Sequence, residues 1–164
     1  GILNRGTLTI DGTISNNRAN GPGGGIHNTG TVTVSGTIIN NTTVTGGGGI
    51  SNSGIMTVRG IIINNTAGGV GGGIDNSGML TVSGTISNNR ASDGAGIYHS
   101  WPRKNRLIFE SGARVMQNQA TNIGGGIFKS YSSIITGATA TTVFDNIAPT
   151  CNNYYNLDSG CVLP

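Results

Sequence analysis

The chain has few charged and few aromatic residues. Asp, Glu, Lys and Arg make up only 9% of its 164 residues, and Phe, Trp and Tyr make up 5%. An ordinary soluble domain has about 25% charged residues. The net charge is only +3, so the basic pI is weak evidence for nucleic acid, and we expect no nucleic-acid partner. Intrinsic disorder does not fit either, because disordered chains combine low hydrophobicity with high net charge.

Long apolar runs and cysteines are scarce as well. No apolar run approaches the ~20 residues of a membrane-spanning helix, so we expect no membrane span. The two cysteines, Cys151 and Cys161, lie close together near the end of the sequence. Such a pair is typical of a disulfide in a secreted protein, whereas in the cytosol it would be a pair of thiols. We predict the disulfide and, with it, an extracellular or cell-surface location.

Glycine, in contrast, is abundant and periodic. The dipeptide Gly-Ile recurs about every 24 residues, at Gly1, Gly25, Gly49, Gly73, Gly96 and Gly126. Glycine and β-branched residues disfavour helices, and apolar residues alternate with polar ones between the glycines. A repeat of this length therefore predicts an all-β, right-handed parallel β-helix of about six coils. We assign residues 1–146 to the β-helix and residues 147–164, with the disulfide, to a C-terminal cap or tail.

Asparagine follows the same period. One inward position is asparagine in all six coils, at Asn17, Asn41, Asn65, Asn89, Asn118 and Asn146. A buried amide can donate to one neighbouring coil and accept from the other, so we predict a structural ladder. A second column, formed by Asn4, Asn28, Asn52 and Asn76, is interrupted at His99 and Lys129. Each of these four asparagines is followed two residues later by glycine, which predicts a turn with positive φ.

Two tetrapeptides recur in phase and resemble a known family. Gly-Gly-Gly-Ile stands at 23–26, 47–50, 71–74 and 124–127, and Ile-x-x-Asn stands at 14–17, 38–41, 62–65 and 86–89. Together they resemble the Gly-Gly-Ala-Ile and Phe-x-x-Asn motifs of polymorphic outer-membrane protein repeats, with Ile in place of Phe. The resemblance implies a secreted or surface-exposed β-helix, often an adhesive one.

The acidic residues do not form a recognisable catalytic site. Glycosidases need two carboxyl groups over one sugar, and no two acids occupy the same position in adjacent coils. His27, Ser51 and Asp75 share a column, but a catalytic triad needs the histidine between the other two residues. We therefore predict a non-enzymatic protein without a cofactor or metal, and a polysaccharide lyase or hydrolase is only the third alternative.

Two features are candidates for an interface. Ile39, Ile61 and Ile63 fall on outward positions, and contiguous exposed apolar residues usually mark a contact surface. Coil five carries an insertion with the only tryptophan and three cations, which suits contact with protein or sugar; the residues are Trp101, Arg103, Lys104 and Arg106. Asn40 and Asn64 lie in glycosylation sequons and are predicted to be accessible, unlike the inward Asn41.

The ends of a β-helix are open sheet edges that pair further unless they are capped. Coil one starts directly in the repeat, so a cap either lies outside this sequence or comes from another subunit. Our first hypothesis is an extracellular structural subunit whose partner is itself, associating end to end into a filament or surface layer. The alternative is an adhesin or glycan-binding module that contacts surface glycans or a protein of a host or cell surface.

Overall fold

The computed structural model describes residues 1–100, 105–130, 133–156 and 159–163. In these residues the chain forms β-strands and turns, wound into a parallel β-solenoid. Successive coils pair in register, so that Ile26 lies beside Ile50, 24 residues later. The predicted all-β fold of about six coils is confirmed.

Coils one to five each contain four strands. Coil one contains β1 (Ile2–Asn4), β2 (Thr7–Ile10), β3 (Thr13–Ser15) and β4 (Arg18–Ala19). Coil two contains β5 (Ile26–Asn28), β6 (Thr31–Val34), β7 (Thr37–Ile39) and β8 (Thr42–Thr43). Coil three contains β9 (Ile50–Asn52), β10 (Ile55–Val58), β11 (Ile61–Ile63) and β12 (Thr66–Ala67). Coil four contains β13 (Ile74–Asn76), β14 (Met79–Val82), β15 (Thr85–Ser87) and β16 (Arg90–Asp93).

The last coils are less regular. Coil five contains β17 (Ile97–His99), β18 (Arg106–Phe109), β19 (Arg114–Met116) and β20 (Gln119–Ile123). Coil six contains β21 (Ile127–Lys129), β22 (Ile134–Thr136) and β23 (Val143–Phe144). The tail contains β24 (Tyr154–Asn156), which is parallel to β21, and β25 (Gly160–Leu163), which is antiparallel to β24.

The strands form four sheets along the solenoid axis. Sheet A holds the first strand of every coil and ends in β24 and β25; sheets B, C and D hold the second, third and fourth strands. Sheet A therefore ends in an antiparallel hairpin, and the Cys151–Cys161 disulfide joins β25 to the segment before β24. The predicted disulfide is confirmed.

The core is a stack of like residues because each coil repeats the alternation of the one before. Ile26, Ile50, Ile74, Ile97 and Ile127 form one such stack inside sheet A and are fully buried. Burying a side chain of this size contributes roughly 1.5–3 kcal/mol. Every coil thus covers the apolar residues of its neighbours.

The predicted asparagine ladder forms along the corner after sheet C. The Asn65 amide nitrogen donates to Asn89 Oδ1 at 3.1 Å and to the carbonyl oxygens of Ile38 and Ile63 at 3.0 Å. Its Oδ1 accepts from the backbone nitrogen of Asn41 at 2.9 Å and from the Asn41 amide at 3.0 Å. The same pattern runs on to Asn146, so the ladder fixes the stagger of the coils.

The second asparagine column continues further than its sequence indicates. The amide nitrogens of Asn28 and Asn52 donate to the next asparagine at 2.7 and 2.6 Å, and that of Asn76 lies 2.9 Å from His99 Nδ1. His99 is fully buried, and desolvation by burial is the main cause that lowers its pKa to about 4. A neutral imidazole can accept through Nδ1, so the histidine takes the place of an amide oxygen.

The positive φ predicted for the glycines after this column is wrong. Positive φ occurs instead at other glycines, such as Gly47, and at one residue in each of the first six coils: Asn16, Asn40, Asn64, Asn88, Gln117 and Asp145. Gly30, Gly54 and Gly78 are needed for clearance, whereas a Cβ on Gly6 in coil one would meet nothing within 4 Å. A Cβ on Gly54 would lie 2.0 Å from the carbonyl oxygen of Gly30 in the preceding coil. Stacking of the backbone, rather than turn conformation, requires glycine here.

Candidate binding surfaces

The outer face of sheet A places His27, Ser51 and Asp75 on consecutive coils, in register. Ser51 lies in the middle, as the sequence predicts. His27 and Asp75 are two coils apart, which is about 10 Å at the spacing of neighbouring strands. The histidine cannot reach both other residues, so these three residues do not have the geometry of a catalytic triad.

Asp75 is the most perturbed carboxyl group on this face. Desolvation by burial raises its pKa to about 6, because burial disfavours the charged form. The pKa of Tyr98 is also raised, first by burial and then by the charges of Asp75 and Asp93. The Asp93 carboxylate accepts a hydrogen bond from Asn122 at 2.8 Å. This part of the face is acidic, although the chain as a whole is basic.

Three aromatic rings continue the same column. Tyr98 stacks on Phe128 with 4.7 Å between ring centroids, and Phe128 stacks on Tyr155 at 5.4 Å. Both faces of the Phe128 ring are therefore occupied within the column. The stack stabilises coils five and six and the hairpin, and it leaves neither face of Phe128 free for a sugar. Sequence reasoning missed this stack because the interval from Tyr98 to Phe128 is 30 residues and that from Phe128 to Tyr155 is 27, and both depart from the 24-residue period of the first coils.

The predicted apolar surface lies on sheets B and C of coils two to four. We call it the lateral apolar face; it consists of Ile39, Ile55, Ile61, Ile63 and Met79. Ile55, Met79 and Ile61 are 50%, 45% and 44% exposed, whereas Ile39 and Ile63 are half-buried beside each other. Ile55 and Met79 are also neighbours in register. The strands that carry these side chains are paired on both sides, so the surface is held rigidly.

The other predicted interface lies mostly outside the described residues. Three of its four predicted residues, Trp101, Arg103 and Lys104, lie outside the described residues. Arg106 is the first residue of β18, is exposed, and pairs in register with Ile134. Arg106 therefore lies in sheet B of coil five.

The two sequon asparagines predicted to be accessible, Asn40 and Asn64, are exposed, and both have a φ of 57°. Asn41 is fully buried in the ladder. Exposure at a turn is compatible with a modified side chain, so glycosylation at these two positions stays a prediction. No cluster of three or more His, Cys, Asp or Glu side chains suited to a metal ion occurs among the described residues.

Comparison with known families supports the resemblance seen in the motifs. A family model for the Chlamydia polymorphic membrane protein repeat matches residues 11–29. Residues 11–29 thus fit one repeat of this family. The matched segment contains Ile14 to Asn17 and the following Gly-Gly-Gly-Ile, which are the two motifs that recur in the later coils. No curated protein and no solved structure matches the chain. In the described residues, no helix is long and apolar enough to cross a membrane.

Proposed function

We propose that this chain is a non-enzymatic, surface-associated β-solenoid of the adhesin type. It binds a partner protein through the lateral apolar face. The polymorphic membrane protein repeat and the disulfide both support a place at a cell surface, since disulfides persist in oxidising environments. The rigid stack of coils supports a binding role, because it holds outward side chains in fixed positions.

The lateral apolar face carries this proposal. The face consists of two groups of outward apolar side chains. On sheet B, Ile55 and Met79 are neighbours in register. On sheet C, Ile61 and Ile63 stand on one strand, with Ile39 beside Ile63, and the three most exposed of the five side chains are each about half accessible. Contiguous exposed apolar residues on a soluble protein usually mark an interaction site. Burial against a partner would contribute roughly 25 cal/mol for each Å² of apolar area removed from water.

The end of sheet A supports contact through the sides of the solenoid. The last strand, β25, runs antiparallel to β24, and the Cys151–Cys161 disulfide joins β25 to the segment that precedes β24. A second copy that continued the parallel coils would need to pair with a parallel strand here. The hairpin occupies that position, so it works against continuation of the solenoid through sheet A.

A binding experiment with the purified, folded chain tests the proposal. The labelled chain is added to a panel of cultured cells, and bound label is measured for the original chain and for Ile61→Lys with Ile63→Lys. We expect the double variant to lose at least tenfold in affinity. The matched control is Thr9→Lys with Thr33→Lys, which adds the same charge to outward positions of sheet B. Equal binding by all three proteins would refute a role for the lateral apolar face.

End-to-end self-association is the second candidate, and the edge of coil one favours it. Strands β1 to β4 each pair on one side only. Ile2, Leu8 and Ile14 are half-buried, whereas their counterparts in coil two are fully buried. Either a preceding coil of a longer chain or a further copy would cover this edge. Light scattering and electron microscopy distinguish the candidates: polymers that persist in the Ile61→Lys, Ile63→Lys variant would support axial assembly, and a stable monomer would exclude it.

A further inference from the structure

A polar groove runs along the corner between sheets C and D. One wall is formed by Asn64, Asn88 and Gln117, and the other includes Arg90 and Gln119. The ladder residue Asn89 forms the floor, and these six residues surround a cavity of about 180 Å³. Asn88 and Gln117 each precede a residue of the second wall by two positions, and a ladder residue lies between the two in each case. The groove is therefore a direct product of the repeat.

The polar groups in the walls are exposed to solvent and have no partner among the described residues. The side chains of Asn64, Asn88, Gln117 and Gln119 and the Arg90 guanidinium are exposed, and none of them forms a hydrogen bond or ion pair with another described residue. The floor is different, because the Asn89 amide is fully committed to the ladder. Four free amides and one free guanidinium thus surround one cavity with a fixed floor.

The first wall is preorganised by its backbone. Asn64, Asn88 and Gln117 have φ values of 57°, 54° and 56°. The backbone nitrogen of Asn88 donates to the carbonyl oxygen of Met116, and that of Gln117 donates to Asp145. Successive amides therefore stand one coil apart, about 4.8 Å along the axis. A ligand that binds here meets side chains whose backbone is already ordered, which lowers the entropic cost of binding.

The chemistry of the groove selects an acidic sugar. Amides both donate to and accept from hydroxyl groups, and the coil spacing is close to the length of one pyranose residue in an extended glycan. Arg90 adds a planar fork of donors that matches a carboxylate in two parallel hydrogen bonds. We propose that the groove binds a uronic acid residue of a linear glycan that lies along the solenoid axis, with its carboxylate on Arg90. This extends the proposed adhesive role to a ligand class and a second surface.

The proposal is tested by calorimetric titration of the intact chain with defined oligosaccharides. Tetraglucuronate is compared with cellotetraose, which has the same linkage but no carboxylate, and with sulfated cellotetraose. We expect tetraglucuronate to bind at least tenfold more tightly than cellotetraose. Sulfated cellotetraose that bound as well as tetraglucuronate would show attraction by charge alone and would overturn the carboxylate assignment, as would equal binding of the charged and uncharged tetrasaccharides.

Variants locate the site. Arg90→Gln should weaken tetraglucuronate binding by about 10- to 100-fold, because hydrogen bonds to charged groups contribute roughly 1.5–3 kcal/mol. Asn88→Gly removes an amide but keeps a residue suited to positive φ, and it should also weaken binding. Arg59→Gln removes the same charge from an exposed position outside the groove and should leave affinity unchanged. Equal losses in Arg90→Gln and Arg59→Gln would overturn the assignment of the site.

The result of the sugar-binding test can be distinguished from the result of the cell-binding test. If Arg90→Gln loses sugar binding but retains cell binding, the glycan groove and the lateral apolar face are independent surfaces, as we propose. If the chain binds cells but no uronic acid oligosaccharide, the groove proposal is wrong and the adhesive function stands.

Discussion

The asparagine ladder predicts that a single apolar substitution in the corner will destabilise the whole solenoid. Asn65→Leu keeps the approximate volume of the side chain but removes five hydrogen bonds. Three of them run from its amide nitrogen, to Asn89 and to the carbonyl oxygens of Ile38 and Ile63. The other two are accepted by its Oδ1 from Asn41.

The cost follows from what remains unpaired. The buried backbone N–H of Asn41 loses Oδ1, its acceptor in the ladder, and an unsatisfied buried group costs roughly 1–3 kcal/mol. Each of the other four lost bonds contributes about 0.5–1.5 kcal/mol, although their groups keep or find other partners. Burial of the leucine side chain offsets part of this loss. We expect a net destabilisation of about 3–5 kcal/mol, which is a large fraction of the stability of a single domain.

Thermal unfolding followed by circular dichroism measures this effect. A loss of that size corresponds to a fall in Tm of about 10 °C for a domain of this length. The control is Asn64→Gly, which changes the adjacent, exposed asparagine and keeps a residue compatible with its φ of 57°. We expect the control to remain within about 0.5 kcal/mol of the original chain. If Asn65→Leu unfolds at the same temperature as Asn64→Gly, Asn65 is not part of a buried ladder.

Three further predictions concern other parts of the solenoid. Burial raises the pKa of Asp75 to about 6, so ionisation of this carboxyl group lowers the stability of the fold as pH rises from about 4 to about 6. Asp75→Asn should therefore raise the free energy of unfolding by up to about 3 kcal/mol at pH 7 but not at pH 3.5, as measured by denaturation at the two pH values. Protein isolated without reductant should show no free thiol by titration at Cys151 and Cys161; two free thiols would contradict the extracellular assignment. Gly54→Ala should cost about 1–3 kcal/mol in urea unfolding, whereas Gly6→Ala, whose Cβ meets nothing within 4 Å, should cost little.

The repeated part of the fold could be predicted because one rule applies to every coil. Inward residues such as Ile50 and Asn65 recur at a fixed interval, so alternation within one coil determined the faces of the next. The interval also identified the two motifs of the polymorphic membrane protein repeat. Where the period holds, neighbouring coils lie in register, and burial follows directly.

Features that depend on backbone approach or on irregular intervals could not be predicted. Gly54 looks like a turn glycine in sequence, but the carbonyl oxygen of the preceding coil excludes a side chain there. His99 looks like an interruption, although its ring accepts a hydrogen bond in place of an amide. Asn88 was missed as a groove residue, because nothing in an Asn-Asn pair shows which member has positive φ. The raised pKa of Asp75 depends on burial of the outer face of sheet A. The alternation of apolar and polar residues does not indicate that an outward residue is buried.

Cell binding by the purified chain and by Ile61→Lys with Ile63→Lys is the most direct test of the proposed function. Circular dichroism first establishes that the variant keeps the β-structure of the original chain. An adhesin that binds through its lateral apolar face predicts that the original chain binds cells saturably as a monomer and that the double variant loses at least tenfold in affinity. Undiminished binding by a folded double variant would contradict the account.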